Sequence, residues 1–175
     1  NEEDAPNPLN IYGDSKLKGE KHVLDILKKF FIIRTSWVYS EYGHNFLKTM
    51  LRLGSEKKEL SVVCDQIGTP TYAKDLANVL LTIIKEEKSE YGIYHYSNEG
   101  IASWYDFAKA IFDDRNINIK VLPINTEAYP TPANRPTYSV MDKSKIKSVF
   151  GIEIPYWRES LKKVISQINS LETES

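Results

Sequence analysis

Tyr12 and Lys16 are the two residues whose types and spacing best suit proton chemistry. Four apart, they share one face of a helix. A phenol is a weak acid that ionises near pH ~10, and an ammonium held beside it favours the phenolate. Such a pair can give or take a proton while a carbonyl is reduced or an alcohol oxidised. The competing structural reading is a lysine stem lying along a partly buried tyrosine, which needs no chemistry. His22, His44 and His95 lack metal-ligand spacing, so no metal site is expected from the histidines.

A helix must carry the pair. Asn10 opens it, Leu17, Val23, Leu24 and Leu27 follow at helical spacing, and the pattern predicts a helix over 10–29. Lys28 and Lys29 are expected on its last turn, favourable to the dipole. The run 31–35 is apolar and β-branched, hence a buried strand. Thr35, Ser36 and Trp37 follow its end, where open α/β sheets place ligands.

Further along, Asn45 is expected to cap a helix through Leu53 that stops at Gly54. A strand over 60–64 follows. A helix over 73–88 is expected to bury Leu76, Val79, Leu80, Ile83 and Ile84. Alternation marks a strand at 92–97. Ser103 with Asp106 three later reads as a capping box, opening a helix that buries Trp104, Phe107, Ile111 and Phe112. A strand is expected at 119–122. Residues 123–138 hold four prolines and read as a long binding loop. Asp142 caps a helix ending at Gly151, and Pro155 opens a last helix striped by Trp157, Leu161, Val164, Ile165 and Ile168, with fraying from Leu171. This order of elements is that of an α/β chain.

Composition narrows the function classes. A hydrophobic content of 41% suffices for a core, and a formal net charge of −1 gives no case for nucleic acid or an anionic membrane. The lone Cys64 cannot form an internal disulfide, which fits a reducing, cytoplasmic compartment. No run approaches the ~20 apolar residues of a spanning helix. None of the eight glycines lies in a G-x-G-x-x-G turn of the kind that seats a dinucleotide pyrophosphate.

The stretch Asn7-Pro8-Leu9-Asn10-Ile11-Tyr12-Gly13-Asp14-Ser15-Lys16-Leu17-Lys18-Gly19-Glu20 resembles the catalytic helix of the extended short-chain dehydrogenase/reductases, and among them the dTDP-4-dehydrorhamnose reductases. Arg34-Thr35-Ser36-Trp37-Val38-Tyr39, Asn45-Phe46, Asp65-Gln66-Ile67-Gly68-Thr69-Pro70-Thr71 and Tyr129 to Pro136 are similar to that family's later blocks, in order. The resemblance implies the C-terminal part of a longer enzyme, without the phosphate turn and the catalytic Ser/Thr, inactive alone. Residues 1–40 would be a remnant of the NAD(P)-binding Rossmann domain. Residues 41–175 would mainly bind the sugar nucleotide, with helix 73–88 packing on the Rossmann part.

By the same resemblance, the complete enzyme reduces the C4 ketone of dTDP-4-dehydro-L-rhamnose with NADPH or NADH. Tyr12 and Lys16 are then catalytic and, with Thr35 and Ser36, cofactor-binding. Trp37, Asn45, Gln66 and Arg135 bind the substrate, Asn45 serving equally well as a plain helix cap. Arginine suits this task because its planar fork meets phosphate in two bonds. The family also implies a homodimer and, in some members, Mg²⁺. Two other readings compete: a sugar-nucleotide epimerase or dehydratase, and a non-catalytic subunit like the regulatory β subunit of methionine adenosyltransferase.

Overall fold

Helix α1 begins where Asn10 caps it: its Oδ1 accepts the Gly13 N–H at 2.9 Å, and the helix runs Ile11–Ile26. The computed structural model describes residues 1–131 and 133–173, with the backbone alone for Glu172. Pro132, inside the proline-rich block, and residues 174–175 of the expected frayed end lie outside the described residues. Leu27 leaves helical geometry for an extended backbone, so Lys28 and Lys29 fall beyond the last turn and do not complement the dipole. This corrects the expected helix end by three residues, 26 instead of 29.

None of the side chains of α1 is buried. A polar fork holds it instead. Arg34, the last residue of strand β1 (Phe31–Arg34), donates from Nε to Glu20 Oε1 at 3.0 Å and from Nη2 to Oε2 at 2.7 Å. The Glu20 bond, with burial working against it, raises the guanidinium's pKa further above its ordinary value. Strand β1 pairs in parallel with β6 (Gly92–His95), Phe31 opposite Gly92 and Arg34 opposite His95.

Between and beyond them lie β2 (Val38–Tyr39), α2 (Phe46–Glu56), β3 (Glu59–Val63), β4 (Ile67–Gly68), β5 (Thr71–Tyr72), α3 (Ala73–Lys85), β7 (Ala102–Ser103), α4 (Trp104–Asp114), β8 (Lys120–Ile124), α5 (Ser144–Phe150) and α6 (Trp157–Thr173). The pairs β2–β5 and β3–β8 are parallel, and β4–β7 is antiparallel. Parallel partners need long crossovers, and helices supply them. The architecture is α/β, as the element order implied.

Two apolar clusters form. In one, α2, α4 and α6 close around Leu47, Met50, Phe107, Ile111, Phe112, Trp157, Leu161 and Val164. In the other, Val79 and Ile83 of α3 and Ile146 and Phe150 of α5 pack with Tyr94, Tyr96, Phe31 and Ile33. The capping box of α4 is present: Ser103 Oγ accepts the Asp106 N–H at 3.0 Å, and Asp106 Oδ2 accepts the Ser103 N–H at 2.9 Å.

Several expectations change. Gly54 does not stop α2 but sits inside it, and a Cβ there would fall 2.7 Å from the Phe112 ring. That glycine serves helix contact, not termination. Of the α3 stripe, Val79 and Ile83 are buried, whereas Leu80 and Ile84 face solvent at 40% and 70% exposure. Strand β8 runs on through Pro123. Lys143, not Asp142, precedes α5, while Asp142 Oδ1 takes the Ser144 N–H at 2.8 Å and Gly151 closes the helix at φ 63°. Pro155 lies ahead of α6, its carbonyl accepting the Glu99 N–H at 2.9 Å.

Glu99 also joins Lys147 and Lys143 of the α5 region. Burial pushes the Glu99 carboxyl up, but the two ammonium groups outweigh it, and its pKa lies below the ordinary carboxylate value. A depressed folded-state pKa stabilises fully above the unfolded value of ~4.3 and stops doing so as pH falls through the folded value. Glu99→Gln is therefore expected to lower the urea midpoint at pH 7, with the gap to wild type closing between pH ~5 and ~3. Urea titrations at pH 7, 5, 4 and 3 check this. For the fork, Glu20→Gln is expected to cost ~1.5–3 kcal/mol, the range for hydrogen bonds to charged groups. Hydrogen exchange should then rise across α1 before it rises elsewhere.

Candidate active site

The site is built at the end of β1. Ser36 donates from Oγ to the Thr69 carbonyl at 3.1 Å, and the Trp37 carbonyl accepts the Thr71 N–H at 3.1 Å. The chain thus turns sharply, and Trp37 takes a left-handed backbone at φ 47°. That region is uncommon for a bulky residue and signals a constraint set by the surroundings. The constraint is visible. The Trp37 indole stacks on Trp104, centroids 3.6 Å apart and planes 10° off parallel. Gly68 also lies close to the indole, where a Cβ would come within 2.6 Å of Trp37 Cε2. Phe46 backs Trp104 at 4.7 Å.

Above this aromatic floor opens a cavity of about 460 Å³, lined by Asn10, Tyr12, Trp37, Gln66, Trp104, Ala133, Arg135, Pro136 and Ser139. Gln66 is buried, and its Nε2 donates to Thr126 Oγ1 at 3.0 Å. Thr126 in turn donates from N and Oγ1 to Asp65, at 2.9 and 2.7 Å. These bonds, the backbone one first, lower the Asp65 carboxyl's pKa below its ordinary value. They also fix the start of the proline-rich loop, which opens with a 3-10 turn at Thr126–Ala128. Its end is fixed by Ile67, whose N–H goes to the Thr137 carbonyl and whose carbonyl takes the Ser139 N–H, both at 2.8 Å. Arg135 projects from this loop, and among the described residues it makes no ion pair.

Tyr12 lies at the lip, 71% exposed, with Lys16 Nζ 5.4 Å from its ring centroid. The cavity therefore offers a phenol that can hand over a proton, a guanidinium for an anion, and an indole floor for an apolar or sugar ring face. Tyr12, Trp37, Gln66 and Arg135, all expected from the sequence, meet here. Lys16 stands beside Tyr12 rather than in the lining. Thr35 is exposed, and Ser36 is turned to the Thr69 carbonyl. Asn45 does not line the cavity. Its Oδ1 caps α2 by accepting the Lys48 N–H at 3.2 Å, and its Nδ2 donates to the Ser40 and Tyr42 carbonyls.

Of the other lining residues, Asn10, Ala133 and Pro136 lie in the motif blocks without being singled out for the site, and Trp104 and Ser139 lie outside the blocks. Trp104 was expected in the core of α4, but it is half-buried at the first helical position, where a side chain leans back toward the N-terminus and away from the core stripe. Its place directly after the Ser103 cap was the available signal. Asn10 was read only as a helix start. Ser139 carried no signal. Among the described residues, no group of three or more His, Cys, Asp and Glu could hold a metal ion, and no helix is long and apolar enough to cross a membrane.

A Tyr/Lys helix running into a parallel strand, with a cavity at the strand's end, is the arrangement of the extended short-chain dehydrogenase/reductases. Within that class, the chain belongs to the RmlD substrate binding domain family, which it matches over residues 1–170. It is 47% identical over 174 residues to the dTDP-4-dehydrorhamnose reductase of Aggregatibacter actinomycetemcomitans, covering 93% of this chain and 59% of that protein. It is similar to the crystal structure of the dTDP-4-dehydrorhamnose reductase from Bacillus anthracis in complex with NADP (TM-score 0.88, 46% identity, 95% of this chain and 58% of that one). A dTDP-4-dehydrorhamnose reductase structure from Clostridium acetobutylicum superposes with a TM-score of 0.92 at 45% identity, covering 96% of this chain and 59% of that one. The chain thus spans a little under three fifths of the length of these relatives.

The stacked indoles give a direct test of the floor. Gly68→Ala is expected to push Trp37 off Trp104 and remove the exciton couplet of the pair in circular dichroism. Trp104→Leu should remove the same signal without touching Gly68.

Proposed function

We propose that this chain supplies the substrate cavity and the proton donor of an NADPH-dependent dTDP-4-dehydrorhamnose reductase, a cytoplasmic enzyme of rhamnose and cell-surface polysaccharide synthesis. The carrying observation is that Tyr12 and Arg135, far apart in the chain, line one cavity over a stacked indole floor. The names of the similar proteins and the NADP complex of one of them support the same reading.

In this reading Arg135 binds the diphosphate in a charge-assisted pair, and Trp37 and Trp104 carry the sugar face. Gln66, held by Thr126, hydrogen-bonds the sugar nucleotide. Tyr12 hands its proton to the C4 oxygen as the ketone becomes an alcohol, and the Lys16 ammonium stabilises the phenolate left behind. The open polar face of Tyr12 and Lys16 fits the nicotinamide ribose, with Thr35 and Ser36 near the same strand end. The nicotinamide, when bound, supplies the reducing electron pair. No Mg²⁺ role is proposed, because the described residues offer no ligand set for it.

The division into a nucleotide-binding remnant at 1–40 and a mainly substrate-binding part at 41–175, with helix 73–88 packing on the remnant, is part of the proposal. Two features support it: α3 shares its core with β1 and β6, and Ile11, Leu24 and Ile26 on α1 and Leu81 and Ile84 on α3 are left open for a covering element. The chain alone is expected to bind dTDP but not to turn over substrate. Arg135→Ala should weaken dTDP binding by ~10-fold or more, measured by calorimetry. In the complete reductase Tyr12→Phe should lower kcat by ~10²–10⁴-fold while dTDP affinity holds. A Tyr12→Phe enzyme with full kcat would overturn the role given to Tyr12, whereas a parent protein without reductase activity, whose biological output neither Tyr12→Phe nor Lys16→Met changes, would favour the regulatory subunit.

A further inference from the structure

The crown of the proline-rich loop, residues 129–136, carries Arg135 over the cavity, yet little holds it there. Its two ends are pinned, by Asp65 and Gln66 at Thr126 and by Ile67 at Thr137 and Ser139. Inside the crown, Thr131 Oγ1 donates to the Ala133 carbonyl at 2.9 Å, a bond within the loop itself. Among the described residues, one hydrogen bond ties the crown to another element: Asn10 Nδ2 donates to the Asn134 carbonyl at 2.8 Å.

That donor belongs to the side chain that opens α1. Asn10 Oδ1 accepts the Gly13 N–H at 2.9 Å, so the two ends of one amide hold two different elements. The opposite demands of an N–H and a carbonyl also fix which way the amide points. The residue type follows from the double task. Asn, Asp and Ser are comparable N-caps, but an ionised Asp has no donor, and Ser has a shorter arm with its single oxygen already engaged. Only asparagine among them caps the helix and reaches a carbonyl beyond it.

We propose that Asn10 is a positioning residue: one amide sets the height of the Arg135 loop against the helix that carries Tyr12 and Lys16. Through it the anion-binding side of the cavity and the proton-donating side move together. A ligand that draws Arg135 inward also bears on the N-terminus of α1. Asn10 itself needs no contact with the ligand. The inference rests on the cavity being a sugar-nucleotide site only for its ligand arm. The clamp itself can be tested without any ligand.

The experiment uses the whole 175-residue chain, wild type and three variants. Asn10→Ser keeps a neutral cap and loses the clamp. Asn10→Asp keeps the cap and loses the clamp at a different charge, and Asn10→Ala loses both. Hydrogen exchange read by mass spectrometry is expected to rise over 126–138 in Asn10→Ser and Asn10→Asp while α1 stays as protected as in wild type. Asn10→Ala should raise both regions. Calorimetry with dTDP should show affinity falling about fivefold in Asn10→Ser, the worth of one ordinary hydrogen bond. Loop exchange in Asn10→Ser and Asn10→Asp equal to wild type would overturn the clamp. A loop that opens with unchanged dTDP affinity would overturn the positioning role. Wild-type chain that binds no dTDP would instead count against the sugar-nucleotide reading, and the exchange data would still decide the clamp.

Discussion

A helix that buries none of its side chains must be held by something other than a core, and here the Glu20–Arg34 fork holds it. The side chains are 17% and 22% exposed, so the pair is shielded enough to matter and wet enough to avoid the full desolvation cost of a buried one. Its placement gives it reach. Glu20 lies two turns beyond Tyr12 and one turn beyond Lys16, while Arg34 ends the strand from which Trp37 emerges. The fork therefore sets the distance between Tyr12 and the aromatic floor. Strand β1 can serve as its anchor because it is hydrogen-bonded along its length to β6 and packs Phe31 and Ile33 into a core.

The two apolar clusters need fixing relative to one another, since Trp104 packs against the first while the strand that leads to Trp37 packs Phe31 and Ile33 against the second. Asn98 does much of this. It is fully buried, its Oδ1 accepts the Tyr72 N–H at 2.8 Å, and its Nδ2 faces Asp75, Ser160 and the Pro155 carbonyl at 2.8, 3.0 and 3.2 Å. A satisfied buried amide of this kind favours one arrangement of its neighbours, because any other leaves polar atoms unpaired in a low-dielectric interior. The elements so joined are the start of α3, the start of α6 and the segment between β6 and β7.

What could be read from the sequence was what is decided locally. The Asn10 cap, the Ser103/Asp106 box, the apolar run of β1 and the stripe of α6 are each set by residues a few positions apart, and they appear nearly where expected. Gly54 misled because a glycine ends helices by its backbone freedom but also sits inside them when another helix comes close, and only the fold shows the Phe112 ring against it. Leu80 and Ile84 misled because periodicity says which residues share a stripe, not how much of that stripe is covered. At the site, Tyr12, Trp37, Gln66 and Arg135 came from motif blocks. Trp104 lies outside those blocks, and Asn10, inside the first of them, was read only as a helix start; each has a sufficient local explanation, as a core residue and as a cap, that hides a long-range one.

The cavity is built on two different principles, and the difference bears on how it works. Its floor is made by packing. Trp37 accepts a left-handed backbone, a conformation that costs ~1–3 kcal/mol, and the stack on Trp104 returns ~0.5–1.5 kcal/mol beyond the area it covers, with further burial against Gly68 and Phe46. A residue packed against both Trp104 and Gly68 has little room to change rotamer, so the floor does not depend on a ligand to form it. The lip is made by hydrogen bonds. Tyr12, Asn10 and Arg135 are all exposed or half-buried, and the bonds that place them compete with water. A floor set in advance spares binding the cost of ordering it. The residues proposed for the proton and anion tasks thus stand on the hydrogen-bonded part of the cavity, and the residues that shape its floor stand on the packed part.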